Sequence, residues 1–154
     1  MQSEPKETMR NYPKHNATNR ALQVPYDMPG REEFLIRELK SYLGKTYFCK
    51  SIGVPVMVTA DSIEETAFNA SMSRKASKIA LYMPYIIRNA KPAVLHLPTD
   101  ARKQITKFHF VEIGVFRCNV PKAGIAQIVI GYRRNGKAIE YAVTDYQVKK
   151  ITNG

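Results

Sequence analysis

Ile125-Ala126-Gln127-Ile128-Val129-Ile130-Gly131-Tyr132-Arg133-Arg134-Asn135-Gly136-Lys137-Ala138-Ile139-Glu140-Tyr141-Ala142-Val143 is the stretch that decides the fold. Two runs rich in β-branched and aromatic residues flank Asn135-Gly136, a dipeptide that favours tight hairpins because it tolerates positive φ. Residues 125–134 and 137–143 therefore read as adjacent antiparallel strands. A third run, residues 107–117, precedes them, with Val120-Pro121-Lys122-Ala123-Gly124 as the connection. The three form a meander.

Upstream of it lies a helical signal. Ser62-Ile63-Glu64-Glu65 has the Ser-x-x-Glu pattern of a capping box, in which two orphan backbone donors are satisfied reciprocally. Met72, Ala76, Ile79, Met83, Ile86 and Ala90 come next at steps of three and four, one apolar stripe on a helix. Pro84 predicts that the helix ends or kinks near Met83 and restarts with the proline in its first turn. Residues 92–106, punctuated by Pro92 and Pro98, read as a loop. Before the long helix, residues 45–50 and 54–59 read as a hairpin around Ser51-Ile52-Gly53, with Pro55 at a strand start or edge. Leu35, Leu39 and Tyr42 or Leu43 predict a helix over residues 31–43, stopped by Gly44. Residues 1–29 carry four prolines and few apolar anchors, and read as a flexible tail. The expectation is one α+β domain over residues 30–150: an N-terminal helix, a β-hairpin, a long Pro-kinked helix and a three-stranded antiparallel meander. Helices would cover one sheet face.

Composition narrows the function. The 154 residues include 24 Lys and Arg against 13 Asp and Glu, a formal charge of +11. A basic small domain is suited to a polyanion. No run of roughly 18 apolar residues suggests a membrane span. Met1-Gln2-Ser3-Glu4-Pro5-Lys6 lacks the apolar core of a secretory signal, so a cytoplasmic location is expected. Two cysteines, Cys49 and Cys118, are too few for a disulfide scaffold and sit in apolar strands, where inert thiols are expected. The three histidines have no zinc spacing, and neither a phosphate-cradling Gly-rich loop nor a carboxylate pair is visible. No cofactor or metal is expected.

The open sheet face is the place to look for chemistry. Side chains alternate along a strand. Phe108 and Phe110 share one side, and Lys107 and His109 the other. His109, Gln127 and Arg133 could stand on an open face beside either Tyr141 or Glu140 and Thr144, since register is not legible. Metal-free RNA cleavage needs a base, an acid and cations for the charge developing at phosphorus. Histidine titrates near neutrality and arginine holds phosphate bidentately. His109, Arg133 and Tyr141 are thus the candidate catalytic set. Arg74, Lys75, Lys78 and Lys107 are the candidate phosphate contacts. The bland alternatives are a solvated or core histidine, a solvated arginine beside a hairpin and a packing tyrosine.

"YLGKTYFCKSIGVPVMVT", "ADSIEETAFNASMSRKASKIALYMPYIIRNAK", "KFHFVEIGVFRCNV", "IAQIVIGYRR" and "KAIEYAVT" together resemble the opening hairpin, long helix and closing meander of the barnase–EndoU–colicin–RelE-like (BECR) group. Such domains are often carried by polyvalent proteins of phages and conjugative elements. The resemblance covers about two-thirds of the chain and rests on element order and apolar pattern. It implies a metal-independent, toxin-type ribonuclease scaffold with active groups on the open sheet face and neighbouring helix, which maps to His109 and Arg133 with Lys75 and Tyr141 as helpers. RNA, tRNA included, would be the substrate, and an immunity-type protein a partner. Two other readings stay open: a non-catalytic nucleic-acid-binding module, and a protein-interaction domain whose charge is incidental.

Overall fold

The computed structural model describes residues 20–94 and 110–146, with only the backbone of Val94 and Val111. The chain is α+β. Among the described residues there are four α-helices: α1 (Met28–Leu39), α2 (Ala60–Ala70), α3 (Arg74–Ala80) and α4 (Met83–Asn89). Six strands are β1 (Thr46–Cys49), β2 (Val54–Met57), β3 (Lys91–Val94), β4 (Phe110–Val120), β5 (Gly124–Arg133) and β6 (Ala138–Asp145). They form one sheet in the order β1-β2-β6-β5-β4-β3. All neighbours are antiparallel except β2 and β6, whose parallel pairing at Val56–Ala138 and Met57–Ile139 joins hairpin to meander.

Both hairpins lie where the sequence places them, and four features differ. The expected single long helix is three short ones. Ser73 caps α3 by accepting from the Ala76 amide, and Ser77 Oγ donates to Ala70 O, so local hydroxyl bonds replace helical ones across Ser71–Ser73. The apolar stripe survives the breaks: Ala76, Ile79, Met83, Ile86 and Ala90 are all buried, while Met72, in the first break, is 54% exposed. Pro84 opens α4, as expected of a proline in a first turn. The start of α2 is also displaced. Its N-cap is Thr59, whose hydroxyl accepts from Ser62 N at 3.1 Å while Thr59 N donates to Ser62 Oγ at 3.0 Å. The box is therefore Thr-x-x-Ser, three residues earlier than Ser-x-x-Glu. Next, residues 91–94 form β3, not the start of a loop. Pro92 is accommodated because β3 is an edge strand, where a missing N–H need cost no ladder bond. Residues 95–109, the rest of the expected loop and the expected start of the first meander strand, lie outside the described residues, as do residues 1–19. The last part of the expected tail is packed: Val24 is 2% exposed, and Arg20 Nη2 donates to Tyr42 Oη at 2.7 Å.

The helices lie against one face of the sheet, where Leu35, Leu39, Ile79, Leu81, Met83, Ile86 and Ile87 meet Val56, Phe116, Ile128, Ile130 and Val143 in the main core. The other face is not bare. Phe110, Ile113 and Ile139 form a second buried cluster with Met57, Val129 and Tyr141 against it. β6 carries the fold's polar joint. β2 pairs with it only at Ala138 and Ile139, and α2 lies along the remainder of the strand. Ser62 Oγ donates to Glu140 O, and Thr66 Oγ1 accepts from Val143 N at 3.1 Å. Thr66 Oγ1 also donates to Glu140 Oε2 at 3.2 Å. Two hydroxyls thus take strand groups that a neighbouring strand would otherwise pair.

Thr66→Val keeps the shape and leaves the Val143 N–H without its acceptor, so a loss of about 1–3 kcal/mol is expected in urea unfolding. An unchanged midpoint would show that the joint contributes nothing. Glu140 is fully buried with Oε1 unpartnered among the described residues, and burial drives its carboxyl well above the ordinary value, against a smaller lowering from Thr66. The folded chain thus holds this proton more tightly than the unfolded chain. The stability associated with the neutral carboxyl is complete below about pH 4.3 and is lost as pH rises through the raised folded value. Glu140→Gln, neutral throughout, should flatten the decline in thermal midpoint from about pH 4 towards alkaline pH. Equal slopes in both proteins would assign the decline to another group.

Candidate nucleic-acid interface

The strands sort their basic and acidic side chains by face. Cross-strand partners share a face, so register fixes the side of each residue. Lys91 stands opposite Arg117, Arg117 opposite Gln127, and Gln127 opposite Thr144. Gln127, Val129, Gly131 and Arg133 alternate with Ala126, Ile128 and Ile130 of the main core, and therefore point away from the helices. All three strand cations among the described residues, Lys91, Arg117 and Arg133, fall on that face. The three strand carboxylates fall on the helix side: Glu112 opposite Tyr132, Glu140 beneath α2 and Asp145 opposite buried Ala126.

Lys91, Arg117, Gln127 and Thr144 form one polar row across four adjacent strands. At about 4.8 Å per strand it spans about 14 Å. Lys91 is exposed and the other three are half-buried. Two like charges directly opposite each other repel, and no strand carboxylate among the described residues offsets them on this face. Beyond β6, Tyr146 N donates to Ile125 O at 2.7 Å, extending the ladder by one residue and setting the tyrosine on the same face. The Arg117 guanidinium carbon lies 3.6 Å from the Tyr146 ring centroid, within stacking distance, and Arg117 Nε is buried with no hydrogen-bond partner among the described residues. Lys122, exposed and at φ 66°, sits in the turn between β4 and β5 at this end of the sheet.

The residues expected from sequence are dispersed. Arg133 ends β5 on the same face as the polar row but at the opposite end from it. Its cross-strand partner is Phe110, whose ring lies over Gly131 so closely that a Cβ there would come within 2.5 Å. Tyr141 packs edge-on to Phe110, ring centroids 6.2 Å apart, and its hydroxyl donates to Glu65 Oε1 at 2.9 Å. Arg133 and Tyr141 thus flank one aromatic ring. Lys75 is elsewhere: its Cε and Nζ lie beside Gly124, on the helix side at the start of β5. The length of β5, about 30 Å, separates that point from Arg133. The expectation that Lys75 assists Arg133 is corrected by this geometry. Arg74 is committed to the fold, donating from Nε to Val24 O at 3.0 Å and lying 4.1 Å over the Tyr26 ring. Lys78 is half-buried on α3, on the helix side. His109 and Lys107 lie outside the described residues.

The expected alternative of Glu140 and Thr144 sharing a side is also corrected. β6 bulges between its pairings with Val129 and Ile130, making Tyr141 the extra residue. Strict alternation therefore breaks, Glu140 turning towards the helices and Thr144 away. Lys91, Arg117 and Tyr146 are members of the face that the sequence reading misses. The alternation Ile113, Val115, Arg117, Asn119 against Gly114, Phe116, Cys118, Val120 is a usable signal for Arg117. Lys91 is hidden by the proline beside it.

Cys49 and Cys118 are buried, and burial pushes the Cys118 thiol up to about 11, away from the reactive thiolate. Among the described residues, no group of three His, Cys, Asp or Glu side chains is placed to hold a metal ion, and no helix is long and apolar enough to cross a membrane. Comparison with family models, with curated proteins and with solved structures finds no match to this chain.

Proposed function

We propose that this domain binds nucleic acid, RNA foremost, across the polar end of the sheet face turned away from the helices. The sorting of strand charge carries the reading: every strand cation among the described residues is on one face and every strand carboxylate on the other. Folding alone gives no reason to oppose Lys91 and Arg117, and a bound phosphate would relieve their repulsion. The resemblance to ribonuclease-type domains supports RNA over DNA.

Binding should weaken steeply with salt, because each neutralised phosphate releases counterions. Lys91→Gln and Arg117→Gln should each reduce the log–log salt slope for a single strand by about 0.7. Fluorescence anisotropy with a labelled RNA measures this. Salt-independent binding, or slopes unchanged in both variants, would remove this face from the interface.

A ribonuclease is the second reading. One observation favours it: Tyr141 packs on the ring of Phe110, the cross-strand partner of Arg133, so two of the expected residues share a neighbour. In this reading His109 moves the proton of the 2′-hydroxyl and Arg133 steadies the scissile phosphate. Total RNA incubated with the protein in excess chelator should then be cleaved, and His109→Ala should abolish cleavage. Intact RNA, or equal cleavage by the variant, would leave a binding module.

A further inference from the structure

We infer that the Arg117–Tyr146 pair is a stacking platform for one unpaired base, so that the ligand of this face is a single strand and not a duplex. The inference rests on the nucleic-acid reading above and specifies its substrate class.

Three observations and one general property of duplexes converge. Tyr146 is half-buried yet belongs to neither apolar cluster of the described residues. Arg117 holds one side of that ring at 3.6 Å. A ring pinned by a cation has already lost rotamer freedom, and a base stacking on the pair has less ordering left to impose. Next, the polar row contains only two cations. Gln127 and Thr144 are neutral groups that both donate and accept, which suits base edges better than phosphate oxygens. Finally, a duplex keeps its base faces inside its own stack, and only a strand with splayed bases can lay one on a flat sheet. Lys91 and Arg117 then meet the phosphates flanking the stacked base, while Gln127 and Thr144 meet the edge of a neighbour.

The test uses the full chain and four labelled probes of about 12 nucleotides: oligouridylate, oligothymidylate, an oligothymidylate backbone with abasic positions, and a duplex. Both base-bearing single strands should bind, since stacking does not read the 2′-hydroxyl, and the duplex should bind at least about tenfold more weakly. Tyr146→Leu should weaken binding of oligothymidylate about tenfold and leave the salt slope unchanged, because the phosphates keep their partners. Tyr146→Phe should restore affinity. The abasic strand should lose a similar factor and be indifferent to Tyr146→Leu. If the duplex binds as tightly as the single strands, or if Tyr146→Leu binds like the unaltered chain while Lys91→Gln is weakened, the platform is overturned and the nucleic-acid reading stands. If the unaltered chain binds none of the probes, both fall together.

Discussion

Two hydroxyl groups, those of Ser62 and Thr66, hold α2 against the length of β6 that β2 leaves unpaired. An unprotected strand edge invites pairing with other chains, and a helix with apolar side chains alone could not satisfy it. Once α2 is fixed, the other helices fall into place in order. Its C-terminus precedes the break where Ser73 starts α3, α3 places Ile79 on the core, and α4 packs on β1 at one sheet edge and leads the chain into β3 at the other. The same contact buries Glu140, which places a carboxyl in the main core on the side away from the basic face.

That separation of acidic from basic side chains is the feature most relevant to the proposed function. Three of the 24 basic residues are spent inside the fold. Arg20 binds Glu38 and Tyr42, Arg31 donates to Ser71 O and Tyr26 O, and Arg74 holds Val24 and Tyr26. Net charge overstates what is offered to a ligand. What remains is position: a row of donors across four strands, with a tyrosine stacked at its end.

The elements legible in the sequence are those set by short-range chemistry. Gly53 and Gly136, both at positive φ, turn the two hairpins where the sequence places them. The stripe from Ala76 to Ala90 gives the buried residues correctly even though the helix is broken, because burial depends on which side faces the sheet and not on whether each turn is helical. Boundaries that depend on competing hydroxyls are not legible: Thr59 displaces Ser62 as cap, and Ser73 begins a new helix. Register is illegible for a different reason. The bulges at Val111 and Tyr141 lie within the β4–β5 and β5–β6 pairings, leave no mark in residue type, and each reverses the alternation from which the candidate site is read. Arg133 and Tyr141 keep a common neighbour, whereas Lys75 belongs to the wrong end of β5 for the site expected of it.

The extra residue in β6 also bears on how this surface could change over evolutionary time. Without it, the parity of Thr144 and of Tyr146 would match that of Glu140, and an acid would share their side. Interior acidity and exterior basicity are therefore partitioned by chain length more than by residue identity. A single-codon deletion there would disturb more of the binding surface than most replacements within it, and relatives that lack the insertion should carry a different pattern of polar residues along the whole strand.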